Sequence, residues 1–315
     1  MTEALKHLRI IYMGTPEFAV APLQYLVAQG LNIVGVITAP DKPAGRGMQL
    51  QHSAVKTYAL TQHLNILQPN KLKAPDFIDT LKKLQADIQI VVAFRMLPEI
   101  VWAMPPMGTL NLHASLLPQY RGAAPINWAI IHGETITGLT TFLLQHNIDT
   151  GDILLQQNIP INQSDNVGSL YKKMMDNGGA LILKTLTGLV NKTIIPTPQP
   201  LHEALKHAPK IFKQTCEINF NTPAQEVHNF IRGLSPYPAA FTKIIANKVI
   251  KIFETNYDNS TLNNILNYFE TDNKTYLKIK CSVGCINVLN LQMEGKKRMD
   301  IKSFLHGYSF IKEEV

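Results

Sequence analysis

Along the first 190 positions, apolar residues recur in blocks that switch between strand and helix periods. Residues 8–13 (LRIIYM) form a short apolar run closed by Gly14, as a buried strand requires. Phe18, Val20, Leu23, Leu26 and Val27 then mark one helical face, opened by Pro16 and ended by Gly30. Proline suits a helix's first turn, and glycine suits the position just past its end. Residues 31–38 return to a strand. The alternation continues with a helix over 52–63, a brief strand at Ile66-Leu67, a helix over 75–85 and a buried strand over 87–94. Strand, helix and strand at this spacing predict a parallel α/β sheet.

Thr109–His113 alternates polar and apolar residues, which predicts a strand with one buried face. Residues 114–121 lose that periodicity and contain Pro118, so they read as a fixed loop. A helix over 124–132, a strand over 137–145, a turn over 146–152 and a long helix within 165–190 complete the pattern. Pro196, Pro198 and Pro200 lie in an expected extended linker, 191–208. Beyond it the pattern changes to one helix over 223–233 and short strands over 241–246, 249–254, 265–270, 275–281 and 284–291. Consecutive short strands predict a small barrel. The expected organisation is therefore an α/β domain over 1–190, a linker, and a β-barrel domain over 209–315.

The strand Thr109–His113 carries the first candidate chemistry. Residues two apart on a strand share a face, so Asn111 and His113 project together at its end. An imidazole exchanges protons near pH 7, and an amide beside it can donate to a developing oxyanion. A nearby carboxylate, such as Asp149 in the turn HNIDTGD, can hold the imidazole in one tautomer. The combination suits acyl transfer to an amine. On periodicity alone, the commoner use of such an Asn/His pair is to satisfy backbone groups at a strand end. The first strand–helix turn, GTPEF, lacks the three-glycine dinucleotide fingerprint, and no phosphate-loop motif occurs.

The longer run NLHASLLPQYRGAAPINWAIIHGE, followed by IDTGDIL, resembles the folate-dependent formyltransferases, which use 10-formyltetrahydrofolate. The resemblance implies that Asn111, His113 and Asp149 are the catalytic group. It further implies that Ser115, Leu116, Leu117 and Pro118 contact the folate. The loop over 38–50 (TAPDKPAGRGMQL) is similar to the one with which the methionyl-tRNA branch of that family enters the acceptor end of initiator tRNA. On that likeness Lys42 and Arg46 are expected to contact tRNA. GTPEFA, Ala208-Pro209-Lys210 and the stretch IRGLSPYP over 231–238 also match, the last leading into an OB-like barrel. Phe94-Arg95-Met96 departs from the Tyr-Gly-Leu common at that turn, where the pteridine is expected. The resemblance thus implies a Rossmann-like catalytic domain followed by an OB-like tRNA-binding domain. The implied reaction is formylation of the α-amine of methionyl initiator tRNA, without a metal.

Composition and charge refine this picture. Hydrophobic content of 45% and charged content of 17% are those of a globular protein with a sizeable core. No apolar run approaches the ~20 residues of a membrane helix, and the amino terminus does not read as a signal peptide, so a cytoplasmic monomer is expected. Cys216, Cys281 and Cys285 lack the companions of a zinc site and read as packed thiols. Of the net charge of +7, residues 206–315 supply +5, from fifteen Lys/Arg against ten Asp/Glu. A basic carboxy-terminal part favours an anionic partner, nucleic acid first, with Lys206, Lys210, Lys243, Lys248 and Lys251 as candidate phosphate contacts. A formyltransferase for a small amine, or a hydrolase of the same folate, would leave the basic part and the 38–50 loop without a role. A tRNA-binding module without catalysis would leave Asn111, His113 and Asp149 unexplained.

Overall fold

Seven strands of the amino-terminal part form one sheet in the computed structural model, which describes residues 3–44, 49–200, 204–243, 248–259 and 268–310. They are β1 (Ile10–Gly14), β2 (Ile33–Ile37), β3 (Ile66–Leu67), β4 (Ile88–Val92), β5 (Thr109–His113), β6 (Ile136–Leu143) and β7 (Ile153–Pro160). Their order is β7-β6-β5-β4-β1-β2-β3. From β3 through β2, β1 and β4 to β5 every pair is parallel; β6 then pairs antiparallel with β5. Every position of β1 and β4 is buried, because connecting helices cover the faces of a parallel sheet.

The helices follow the predicted periods with shorter ends. The first begins as a 3-10 turn over Glu17–Ala19 before Val20–Ala28, and Tyr12 seals it by donating to the Ala19 carbonyl at 2.7 Å. The second, Ala54–Thr61, is capped by Ser53, whose hydroxyl accepts from the Lys56 amide at 3.0 Å. Phe77, Ile78 and Leu81 of Pro75–Lys83 join Ile11, Met13, Ile37, Val91 and Val101 in one apolar cluster. The 24-residue helix Val167–Val190 packs Gly178 against Leu112, where a Cβ would stand 2.8 Å from a Leu112 methyl. Elements of this part that were not expected include the helix Glu3–His7, β7, the short helix Glu99–Trp102, and a ribbon of Lys42–Ala44 with Gln49–Gln51 in and beside the expected 38–50 loop.

The chain divides into two compact units that do not follow a single cut. The first takes Met1–Arg121, Thr137–Ile159 and Tyr171–Lys206; the second takes Gly122–Ile136, Pro160–Leu170 and His207–Val315. The helix Pro125–Ile131 thereby belongs with the carboxy-terminal elements. Asn127 donates to the Gly233 carbonyl at 2.8 Å, and Trp128 Nε1 donates to the Pro209 carbonyl at 2.8 Å. Residues 191–200, expected as linker, include Thr197, which bridges to Ile153 at the start of β7.

The second unit is built on an antiparallel sheet of six strands. Along its path run Ala240–Thr242, Ile250–Asp258, Cys285–Met293, Leu277–Lys280 and Phe269–Thr271, with Met299–Asp300 pairing onto Cys285–Met293. The expected strands over 241–246 and 265–270 extend into positions outside the described residues. Helix Ala224–Leu234 lays Ala224, Val227, Ile231 and Leu234 on this sheet's core with Ile250, Ile252, Leu291 and Met293. A closing helix, Ile301–His306, is capped by Asp300, which accepts from the Ser303 amide at 3.0 Å.

Candidate active site

The alternation in β5 places its two polar residues as a strand must. Leu110 and Leu112 are buried in the sheet's packing, while Asn111 lies opposite Phe142 of β6 and His113 opposite Thr140. Asn111 is half-buried, and none of the described hydrogen bonds uses its side-chain amide. His113 is 7% exposed, and its Nε2 lies 2.9 Å from the Tyr120 carbonyl oxygen. A carbonyl only accepts, so Nε2 carries the hydrogen. That leaves Nδ1 facing Asp149, whose Oδ2 is 3.9 Å away. The separation is ion-pair range and longer than a direct hydrogen bond; both side chains are nearly buried, at 8% and 11% exposure.

Two backbone features fix these partners. Tyr120 has φ +60 and Asp149 φ +55, the left-handed region that costs a bulky residue most. Tyr120 is also held through its amide, which donates to the Lys206 carbonyl at 2.6 Å. The turn bearing Asp149 passes so close to β6 that a Cβ on Gly151 would collide with the Leu143 carbonyl. From outside the turn, Gln199 Nε2 donates to the carbonyls of Asp149 and Gly151, both at 2.8 Å. Gln199 Oε1 in turn accepts from Arg121 Nε and Nη2, at 3.1 and 2.6 Å.

The segment after His113 is tied to β6 and β7 through Thr140. Its hydroxyl donates to the Ser115 carbonyl at 2.6 Å and accepts from the Leu117 amide at 3.1 Å and from Gln156 Nε2 at 3.0 Å. Ser115, Leu117 and Pro118 are buried, and the Ser115 hydroxyl donates to the Gln119 carbonyl at 2.6 Å. Leu116 alone of the four is half-buried.

One strand away, Arg95 follows the end of β4. Its Nη1 donates to the Asn70 carbonyl at 3.0 Å, its Nη2 to that of Pro69, and its guanidinium lies 5.6 Å from the Phe94 ring centroid. Met96 is 72% exposed.

Lys42 is exposed on the ribbon, while Arg46 lies outside the described residues. Asp41 at the ribbon's base is paired with Lys56 at 2.6 Å and His52 at 3.1 Å and accepts from Gln68 at 2.8 Å. The hydrogen bond from Lys56, then that from Gln68, holds its carboxyl down at about 2. Lys42 and the Asn111–His113–Asp149 group thus occupy separate described features of the first unit.

Among the described residues no group of three or more His, Cys, Asp or Glu could hold a metal ion. All three cysteines are buried and free, and burial, aided by neighbouring Cys285, pushes the Cys281 thiol up to about 12. No described helix is long and apolar enough to cross a membrane.

A nearly buried imidazole and carboxylate, with Asn111 on the same strand, lie at the carboxyl end of a parallel strand, where open α/β sheets place their ligand sites. The Formyl transferase family model matches residues 7–186, and the model of its C-terminal domain matches residues 210–309. Methionyl-tRNA formyltransferase of Phocaeicola vulgatus is 54% identical over 312 residues, covering 96% of each chain. That of Bacteroides thetaiotaomicron is 52% identical over 308 residues, again covering 96% of each. The chain belongs to the methionyl-tRNA formyltransferase family.

The fold extends to more distant structures. An N-formyltransferase from Helicobacter canadensis, solved with folinic acid and dTDP-3-aminofucose, superposes with a TM-score of 0.65 at 22% identity, covering 91% of this chain and 99% of that one. HypX from Aquifex aeolicus, solved with tetrahydrofolic acid, gives 0.63 at 17% identity over 95% of this chain, which spans only 47% of HypX.

Proposed function

We propose that this protein transfers the formyl group of 10-formyltetrahydrofolate to the α-amine of methionyl initiator tRNA, giving N-formylmethionyl-tRNA and tetrahydrofolate. The observation that carries the catalytic assignment is the ordered pair: His113, its tautomer set by the Tyr120 carbonyl, turns Nδ1 toward Asp149. Protonation at Nδ1 makes His113 a cation paired with that carboxylate. The amine nitrogen bonds to the formyl carbon, and the carbonyl oxygen becomes an oxyanion. Asn111 donates to it, and the positive charge of the His113 imidazolium, whose N–H groups are directed at the Tyr120 carbonyl and at Asp149, stabilises it. The bond from the formyl carbon to the folate nitrogen then breaks. The amine loses one proton and the departing nitrogen gains one, with His113 and Asp149 carrying the exchange directly or through water.

Ser115, Leu116, Leu117 and Pro118 are assigned to the folate side of the site. They follow His113 after Ala114, and hydrogen bonds of their backbone to Thr140 and Gln156 give them a fixed shape. Lys42 and Arg46 are assigned to the acceptor end of the tRNA. The carboxy-terminal unit, with +5 of the net charge between residues 206 and 315, is assigned to its backbone. The functional division remains a catalytic part over 1–190, a connector over 191–208 and a tRNA-binding part over 209–315. The protein acts in the cytoplasm, where charged tRNA and reduced folate meet, and works as a monomer.

The deciding experiment is transfer from labelled 10-formyltetrahydrofolate to charged initiator tRNA, run beside free methionine and a glycinamide acceptor. Preference for the tRNA by orders of magnitude is expected. Equal or faster transfer to the glycinamide would overturn the assignment.

A further inference from the structure

We propose that Gln199, locked in one orientation by Arg121, is a positioning residue that holds Asp149 in register with His113. This rests on the catalytic reading of Asp149 given above. Asp149 sits in a turn with a left-handed backbone, and its carboxylate lies 3.9 Å from the imidazole it faces. At that distance, a displacement of less than 1 Å decides whether a charge-assisted hydrogen bond forms. Whatever fixes the turn therefore controls the pair.

Gln199 grips the turn at two points. Both hydrogens of its amide nitrogen are used, on the carbonyls of Asp149 and Gly151. Its amide oxygen takes two donors from Arg121. A flipped amide would set N–H against guanidinium N–H and oxygen against two carbonyls, so only one orientation is satisfied. The segment is registered two residues earlier, where Thr197 and Ile153 exchange backbone hydrogen bonds of 2.8 and 2.9 Å.

Arg121 also adjoins Tyr120, whose carbonyl orients His113. The contacts therefore close a ring: His113 Nε2 to the Tyr120 carbonyl, along the chain to Arg121, across to Gln199, to the backbone of Asp149, and by its carboxylate back to Nδ1. A few residues further on, Lys206 accepts from the Tyr120 amide and donates to Gln119 Oε1 at 2.6 and 2.9 Å. Gln199 and Lys206 thus touch both sides of the catalytic pair, which a connector without a catalytic role has no reason to do.

The test uses the full-length protein with Gln199→Glu as the principal variant. The carboxylate still accepts from Arg121 but cannot donate to either carbonyl, so anchoring of the segment is kept while the grip on the turn is lost. The expected result is a fall in kcat of about tenfold or more, with KM for charged tRNA and folate affinity each within about threefold of the parent. In an Asp149→Asn background, Gln199→Glu should cost less than about twofold more, since both changes remove the same pairing.

Normal kcat, or losses that simply multiply, would overturn the proposal. Arg121→Gln, which releases the Gln199 amide to flip, gives the same reading if Gln199→Glu does not fold. Asp149→Asn alone separates the two levels: near-normal turnover there would remove the catalytic assignment itself, whereas a large loss there with none in Gln199→Glu would remove only the role of Gln199.

Discussion

His113 makes one contact that decides its chemistry: the 2.9 Å bond from Nε2 to the Tyr120 carbonyl. That bond leaves Nδ1 on the side of Asp149. Replacing either His113 or Asp149 with alanine is expected to lower formyl transfer by about two orders of magnitude while the fold is kept. Near-normal turnover in a folded variant would exclude the residue from the mechanism. Asn111→Ala should cost on the order of 10²-fold in kcat with little change in KM, the signature of a donor used only in the transition state. A different histidine contributes to stability in acid. Burial, then the charge of Arg232, pulls the His228 pKa down from 6.5 to about 4, against a hydrogen bond with Thr255. Between those values the unfolded chain binds a proton that the folded chain does not. The contribution of His228 is therefore complete above about pH 6.5 and is lost as the pH falls toward about 4. In His228→Gln, the unfolding midpoint should fall less steeply over that interval than in the parent, as followed by denaturant titration at several pH values.

At the scale of elements, periodicity located the strands and helices, although β5, expected to bury one face, buries both except for half-buried Asn111, because it is a central strand of the sheet. Thr109–His113 has the expected bounds, and helix Ala224–Leu234 lies within one residue of the expected 223–233. Ile231 is fully buried on that helix, so Ile231→Ala should cost about 2–5 kcal/mol of stability, measured by urea unfolding. Strand β7 escaped notice because ILLQQNIP mixes buried and exposed positions without strict alternation. The ribbon inside the 38–50 loop escaped because Pro and Gly dominate its composition, while its pairing of Lys42 with Gln51 depends on Asp41 holding His52 and Lys56 at the base. If this loop enters the acceptor end, Arg46→Ala should lower catalytic efficiency on charged tRNA and leave folate dissociation unchanged. A loss under about threefold, or ~0.7 kcal/mol of transition-state stabilisation, would remove the loop from tRNA recognition.

For the whole molecule, charge is the property that bears on the larger substrate. Lys210, Lys243 and Lys248 are exposed, and each that meets a tRNA phosphate should, when changed to alanine, reduce the slope of log affinity against log salt by about 0.9. An unchanged slope in the triple variant would clear those lysines of backbone contact. The sequence by itself determined the parallel sheet, the β-rich second part, and the shared face of Asn111 and His113. These follow from periods of two and 3.6 residues, which act between near neighbours in the chain. Motif likeness added Asp149 as a candidate but could not say what orients it. Only the tertiary structure decided which nitrogen of His113 meets Asp149, because that depends on Tyr120 taking a left-handed conformation against Lys206. It likewise decided that a glutamine in a proline-rich stretch grips the turn of Asp149, and that helix Pro125–Ile131 joins the second unit beside Gly233. Each of these is a hydrogen bond or close packing between residues far apart in the chain. Such contacts form only once the sheet and helices have brought the loops together, so local periodicity carries no trace of them.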